Sequence, residues 1–149
     1  QRHPEAVSVK IGTMIETPRA ALVADEMAHH ADFFSFGTND LTQLTFGFSR
    51  DDIENRIMNL YLQEELLDAN PFQHVDSKAV IELVRTGIER GRTVKPDLSV
   101  GVCGEHGGDP ASIELLAVAG VDYVSCSPPR IPIARLAAAQ IAIKTRADR

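Results

Sequence analysis

Val7-Ser8-Val9-Lys10-Ile11-Gly12-Thr13-Met14-Ile15-Glu16-Thr17-Pro18-Arg19-Ala20 runs from an alternating strand pattern, through a carboxylate, into the start of a helix. Val7, Val9 and Ile11 alternate with Ser8, Lys10 and Gly12, and Met14-Ile15 carries the predicted strand on to Glu16. Thr17-Pro18 reads as an N-cap followed by proline at the first helical position. Ala20, Val23, Ala24, Met27, Ala28 and Ala31 then recur at three and four, the buried stripe of one amphipathic helix. Such a unit matters because β/α enzymes gather catalytic groups where strands stop and turn back into helices.

Two more stretches repeat the arrangement. Phe33 to Phe36 is a short apolar run ending in Gly37-Thr38-Asn39-Asp40, and Ser99 to Val102 leads into Cys103-Gly104-Glu105-His106-Gly107-Gly108. Asn39 or Asp40 is expected to cap a helical turn from Leu41 to Phe48. Ser49 to Asn70 reads as a polar excursion, helix-like through Ile57, Leu60, Tyr61 and Leu66, and closed by Asn70-Pro71. Ser77 is expected to open a helix (Val80, Ile81, Val84, Ile88) that Gly91 ends. Asp109-Pro110 starts another helix, which Gly120 stops. Val121 to Ser125 is the fourth predicted strand, and Ile133 to Ile143 an alanine-rich helix with a basic tail from Lys144 to Arg149. The chain is therefore expected to be α/β, with about four βα units in parallel. A whole (β/α)8 barrel of the TIM type needs roughly 250 residues, so these units correspond to half of one.

The 149 residues, 44% hydrophobic and 24% charged, suit one globular segment spanning 1–149 with a core of its own. A net charge of −6 and few aromatics argue against a nucleic-acid partner. No apolar run approaches the roughly 20 residues that span a bilayer, so no membrane partner is expected. Two cysteines are too few for a dense disulfide framework, which favours reduced thiols in a cytoplasmic setting.

Glu16 and Asp40 each close a predicted strand, and side chains on neighbouring parallel strands can converge on a hard cation such as Mg2+. The alternative is a helix cap for Asp40 and an exposed or ion-paired carboxylate for Glu16. Gly37, Thr38 and Asn39 offer unpaired amides at a strand-to-helix turn, suited to a carboxylate or phosphate, or simply to turn formation. Cys103 emerges beside glycine, where a thiol can give or accept a proton; its alternative is a small buried apolar group. Cys126 reads as structural. The five histidines complete no zinc site, and His106 is expected as a loop residue near Glu105 or Cys103.

Gly12 to Ala20, Phe34 to Gln43, Cys103 to Pro110 and Asp122 to Pro128 together resemble the carboxy-terminal, phosphoenolpyruvate/pyruvate-binding domain of the pyruvate, phosphate dikinase family, in its second half. Phosphoenolpyruvate synthases and the sugar-transport enzyme I share the Glu, Asn-Asp and Cys-Gly elements. Phe46 to Asp52 and Pro132 to Gln140 look most like the dikinase. The resemblance implies a phosphotransferase in which Glu16 and Asp40 hold Mg2+ and Gly37, Thr38 and Asn39 hold pyruvate or phosphoenolpyruvate. It also implies that Cys103 moves the proton at the methyl or methylene carbon. It further implies a nucleotide-binding domain, a phosphohistidine domain and a first half-barrel that these residues do not contain, and a homodimer formed through the barrel. The segment alone is then expected to be inactive, and to self-associate through its two open sheet edges. Cytoplasm is the expected location, or an organelle if a targeting segment lies upstream. The competing expectations are a non-catalytic folding or dimerisation module and a related phosphoenolpyruvate-using enzyme.

Overall fold

A computed structural model describes residues 7–147. Among them, four parallel strands form one sheet in sequence order: β1 (Thr13–Ile15), β2 (Phe33–Gly37), β3 (Ser99–Cys103) and β4 (Tyr123–Val124). The α/β expectation holds, with each strand followed by helix. Ile15, Phe36, Val102 and Val124 align across the sheet, as do Met14, Ser35, Gly101 and Tyr123. Because side chains alternate along a strand, these two rows face opposite ways. Ile15, Phe36 and Val102 of the first row pack, with Phe34 and Val100, into the main core against helices, while Val124 packs with Ile113, Ala134 and Ala137; the second row is the more open, with Met14 and Tyr123 each 44% exposed.

The strand at the start is shorter than predicted. Val7, Val9 and Ile11 are exposed, because β2 offers a partner only from Phe34 onward, opposite Thr13. Ile11 is instead tied down by its amide donating to Asp32 Oδ2 at 2.8 Å. The stripe read as one helix is two, α1 (Pro18–Leu22) and α2 (Ala24–Ala28), broken where Val23 takes φ −120° and ψ 27°. The N-cap reading holds: Thr17 Oγ1 accepts from the Ala20 amide at 3.1 Å. At the other edge only Tyr123–Val124 completes a ladder, although Asp122 and Ser125 still donate to Val100 and Val102.

Helix α3 (Thr38–Phe46) starts earlier than expected, so Gly37 occupies the N-cap and Asn39 and Asp40 lie inside the first turn. The excursion after it holds two short helices, α4 (Arg50–Arg56) and α5 (Met58–Gln63). Buried Met58 and Phe72 anchor it, and Asn70 Oδ1 accepts from the Phe72 amide at 2.9 Å to make the closing turn.

Helix α6 (Val80–Val94) begins after Asp76, not Ser77: Asp76 Oδ2 takes the amides of Ala79 and Val80. It also runs through Gly91. A Cβ there would meet Phe34 and Leu98 at 2.7 Å, so this glycine serves close packing of helix on sheet rather than termination. Helix α7 (Pro110–Ala119) keeps both predicted ends, with Asp109 capping the Ser112 amide and Gly120 at φ 99°. Helix α8 (Ile131–Ala147) carries Lys144 and Arg146 in its last turn; Asp148 and Arg149 of the basic tail lie outside the described residues.

Candidate functional site

Period two along each strand sets the site. Glu16 lies two residues beyond Met14, Gly37 two beyond Ser35, and Cys103 two beyond Gly101, so all three continue the open row at the carboxyl ends of β1, β2 and β3. Gly37 and Cys103 are register partners. A Cβ on Gly37 would stand 2.9 Å from both Glu16 Cβ and Glu16 Oε2, so only glycine lets the Glu16 carboxylate lie across the end of β2.

Asp40 reaches the same place from the first turn of α3, where a carboxylate also suits the helix dipole. Glu16 and Asp40 line one open cavity of about 550 Å³ with Gln43 and Phe48. Gln43 donates to Asp40 Oδ1 at 3.1 Å while its own oxygen accepts from the Arg50 amide at 2.9 Å, which fixes the orientation of Asp40. Glu16 has no hydrogen-bond or ion-pair partner among the described residues.

On the other side of Gly37 lie Asn39, Cys103 and Gly104. Asn39 Oδ1 is enclosed without a partner, and its amide stands 3.3 Å from where a Cβ of Gly104 would be. Gly104 has φ 106°, a backbone state that favours glycine, so its loop can pass close over Asn39. Cys103 is half-buried and its thiol donates to the Phe36 carbonyl at 3.6 Å. Thr38 is fully buried with its hydroxyl turned inward, which leaves its backbone as the part that can face a ligand. The six residues singled out in the sequence thus come together at adjacent strand ends.

Among the described residues, no group of three or more His, Cys, Asp or Glu side chains could hold a metal ion. What the site offers a cation is two carboxylates facing one cavity. That donor set fits Mg2+, which takes one or two carboxylates and keeps several waters for a substrate to displace.

His106 departs from its expected place. It is fully buried, with Nδ1 2.7 Å from Thr38 Oγ1 and Nε2 2.9 Å from the Pro71 carbonyl. Nothing in a glycine-rich stretch signals an enclosed imidazole. Gln43 joins the site as well, and its place one helical turn after Asp40 is the sequence signal for it.

Burial lowers His106 from its ordinary 6.5, against the Pro71 hydrogen bond, which raises it. Burial alone would raise Asp109; the hydrogen bonds from the Ser112 hydroxyl and amide, and then from His74, outweigh it and hold the carboxyl below 3.8. Both folded values lie below the unfolded ones, so the stability they confer is complete above the unfolded values and lost as pH falls. Urea midpoints measured against pH should therefore decline below about 6.5 and again below about 3.8. Asp109→Asn should flatten the second decline; an unchanged acid limb would contradict the assignment.

The family model for the PEP-utilising enzyme, PEP-binding domain, matches residues 1–143. Pyruvate, phosphate dikinase 1, chloroplastic, of Oryza sativa subsp. japonica is 59% identical over 137 residues, covering 92% of this chain and 14% of the relative. Pyruvate, phosphate dikinase 2 of Zea mays is 58% identical over 139 residues, covering 93% of this chain and 16% of the relative. The chain thus spans about one seventh of the length of these curated relatives.

Proposed function

The chain belongs to the family of PEP-utilising enzymes, as part of the PEP-binding domain, and on that premise we propose that its strand ends form the pyruvate/phosphoenolpyruvate side of a dikinase-type phosphotransferase site. A phosphoryl group passes there between a phosphohistidine carried on another domain and the enolate oxygen of pyruvate. The observation that carries this reading is the meeting of Glu16, Gly37 and Cys103 on one open row, with Asp40 and Asn39 beside them.

Glu16 and Asp40 would hold Mg2+, whose contribution when bound is Lewis-acid stabilisation of negative charge on the substrate oxygen. Backbone amides around Gly37 and Thr38, and the Asn39 side chain, orient the substrate carboxylate and oxygen. Their support is the helix N-terminus they form and the unpartnered Asn39 oxygen. Cys103, as thiolate, takes a methyl proton from pyruvate, and the resulting enolate oxygen attacks phosphorus as the phosphorus–nitrogen bond breaks. In reverse, the thiol returns that proton to the methylene carbon.

The sheet is read as the second half of a (β/α)8 barrel. Its open row (Met14, Ser35, Gly101, Tyr123) would face the barrel interior, and its edges β1 and β4 would pair with the first half. Exposed Leu136 and Ile143 on α8, 62% and 68% accessible, supply apolar surface for the same assembly or for a homodimer. The proposed reaction also draws on a phosphohistidine domain and a nucleotide-binding domain, so these 149 residues are expected to be inactive by themselves.

The test is a graft. The rice dikinase carrying this chain in place of its matching segment should form phosphoenolpyruvate. Asp40→Ala in the graft should lower that rate by more than the roughly 10- to 100-fold typical of losing a metal's outer-shell partner. A folded graft without activity would favour the folding or dimerisation role; an active graft indifferent to Asp40→Ala would overturn the metal assignment.

A further inference from the structure

His106 stands between the elements that carry the site, and it is built into the fold on both sides. Its backbone belongs to the short helical turn Glu105–Gly108, directly after the Cys103–Gly104 loop. That turn is pinned. A Cβ on Gly107 would meet the Ser125 carbonyl oxygen at 2.5 Å, and β3 holds the loop from the other end. From this fixed base the ring reaches Thr38, 68 residues away in sequence, and Pro71, 35 away. Thr38 is the first residue of α3, so whatever fixes its side chain also fixes the turn bearing Asn39 and Asp40.

The hydrogen bonds have a direction. The Pro71 carbonyl can only accept, so Nε2 carries the ring proton. In a neutral ring Nδ1 then accepts, and the Thr38 hydroxyl donates to it. A polar group this enclosed is costly unless its bonds are made, so both contacts act as geometric constraints rather than incidental neighbours.

We infer that His106 is a positioning residue: as its Nε2–H tautomer it accepts from Thr38 and donates to Pro71, and so sets the first turn of α3 against the Cys103 loop. The consequence for ligand binding rests on the proposed function above; the structural constraint does not.

Four variants of the chain test it. Thr38→Val removes the hydroxyl at nearly constant size, and Thr38→Ser keeps it. His106→Asn retains an acceptor near Nδ1, whereas His106→Gln retains a donor near Nε2. In the ligand-free, histidine-labelled chain at neutral pH, nitrogen NMR should show Nδ1 unprotonated and Nε2 protonated. Amide resonances of Asn39 and Asp40 should move in Thr38→Val and His106→Gln and stay near their places in Thr38→Ser and His106→Asn. Magnesium-dependent oxalate affinity should follow the same order, falling about tenfold or more in the first pair.

A role in packing alone predicts the reverse order for His106, because asparagine leaves the larger void. That order, unmoved Asn39 and Asp40 resonances in Thr38→Val, or a protonated Nδ1 would overturn the inference. If the unaltered chain bound no oxalate while the resonances followed the expected order, the positioning role would be supported and the proposed site on this chain would fail. If one His106 variant does not fold, Thr38→Val against Thr38→Ser still decides.

Discussion

Cys103→Ser in the grafted dikinase is expected to slow exchange of pyruvate methyl protons with solvent by about 10²- to 10⁴-fold, the range of general acid–base catalysis. Serine keeps the size and the ability to donate to the Phe36 carbonyl, which Cys103 now meets at 3.6 Å, so the strand end keeps its shape. What it loses is acidity: a thiol ionises near pH 8.5 in ordinary surroundings, whereas an alcohol does not ionise in the accessible range. Binding of magnesium and oxalate should be unchanged, because oxalate has no proton to transfer. Unimpaired exchange would remove Cys103 from the mechanism. Impaired oxalate binding would make it a structural residue of the loop.

Phe36→Ala should destabilise the chain by about 3–5 kcal/mol, the cost of truncating a buried aromatic ring. The ring is fully buried between β2 and α6, and it lies 2.8 Å from where a Cβ on Gly87 would be. That close fit leaves little freedom to collapse around the void. Domains of this size have about 5–15 kcal/mol in total, so the loss is a large fraction and should appear as a much lower urea midpoint. A change within about 0.5 kcal/mol, typical of a surface position, would contradict the packing described.

The strand ends were legible because each couples two local signals, an apolar run and a polar residue that stops it. Glu16, Gly37 to Asp40, and Cys103 stand out that way, and the structure sets them at neighbouring strand ends. Helix α7 was legible at both ends because Asp109-Pro110 and Gly120 are local cap signals. Gly91 misled for a physical reason: a terminating glycine and one that lets a ring approach are the same letter, and only the position of Phe34 distinguishes them. Val7 to Ile11 alternate as a strand should, but alternation supplies no partner, and β2 does not extend far enough to pair with them. His106 was hidden because its role is defined by Thr38 and Pro71, both distant in sequence.

The most direct measurement is a thermal melt of the chain with oxalate, a mimic of the pyruvate enolate, in the presence and absence of Mg2+. A ligand that binds only the folded state raises the midpoint, by an amount that grows with its concentration over its dissociation constant. A rise that needs both Mg2+ and oxalate, and that disappears in Asp40→Ala, is the predicted result. No rise with both present, in a chain that melts cooperatively, would contradict the claim that these strand ends hold the enolate site.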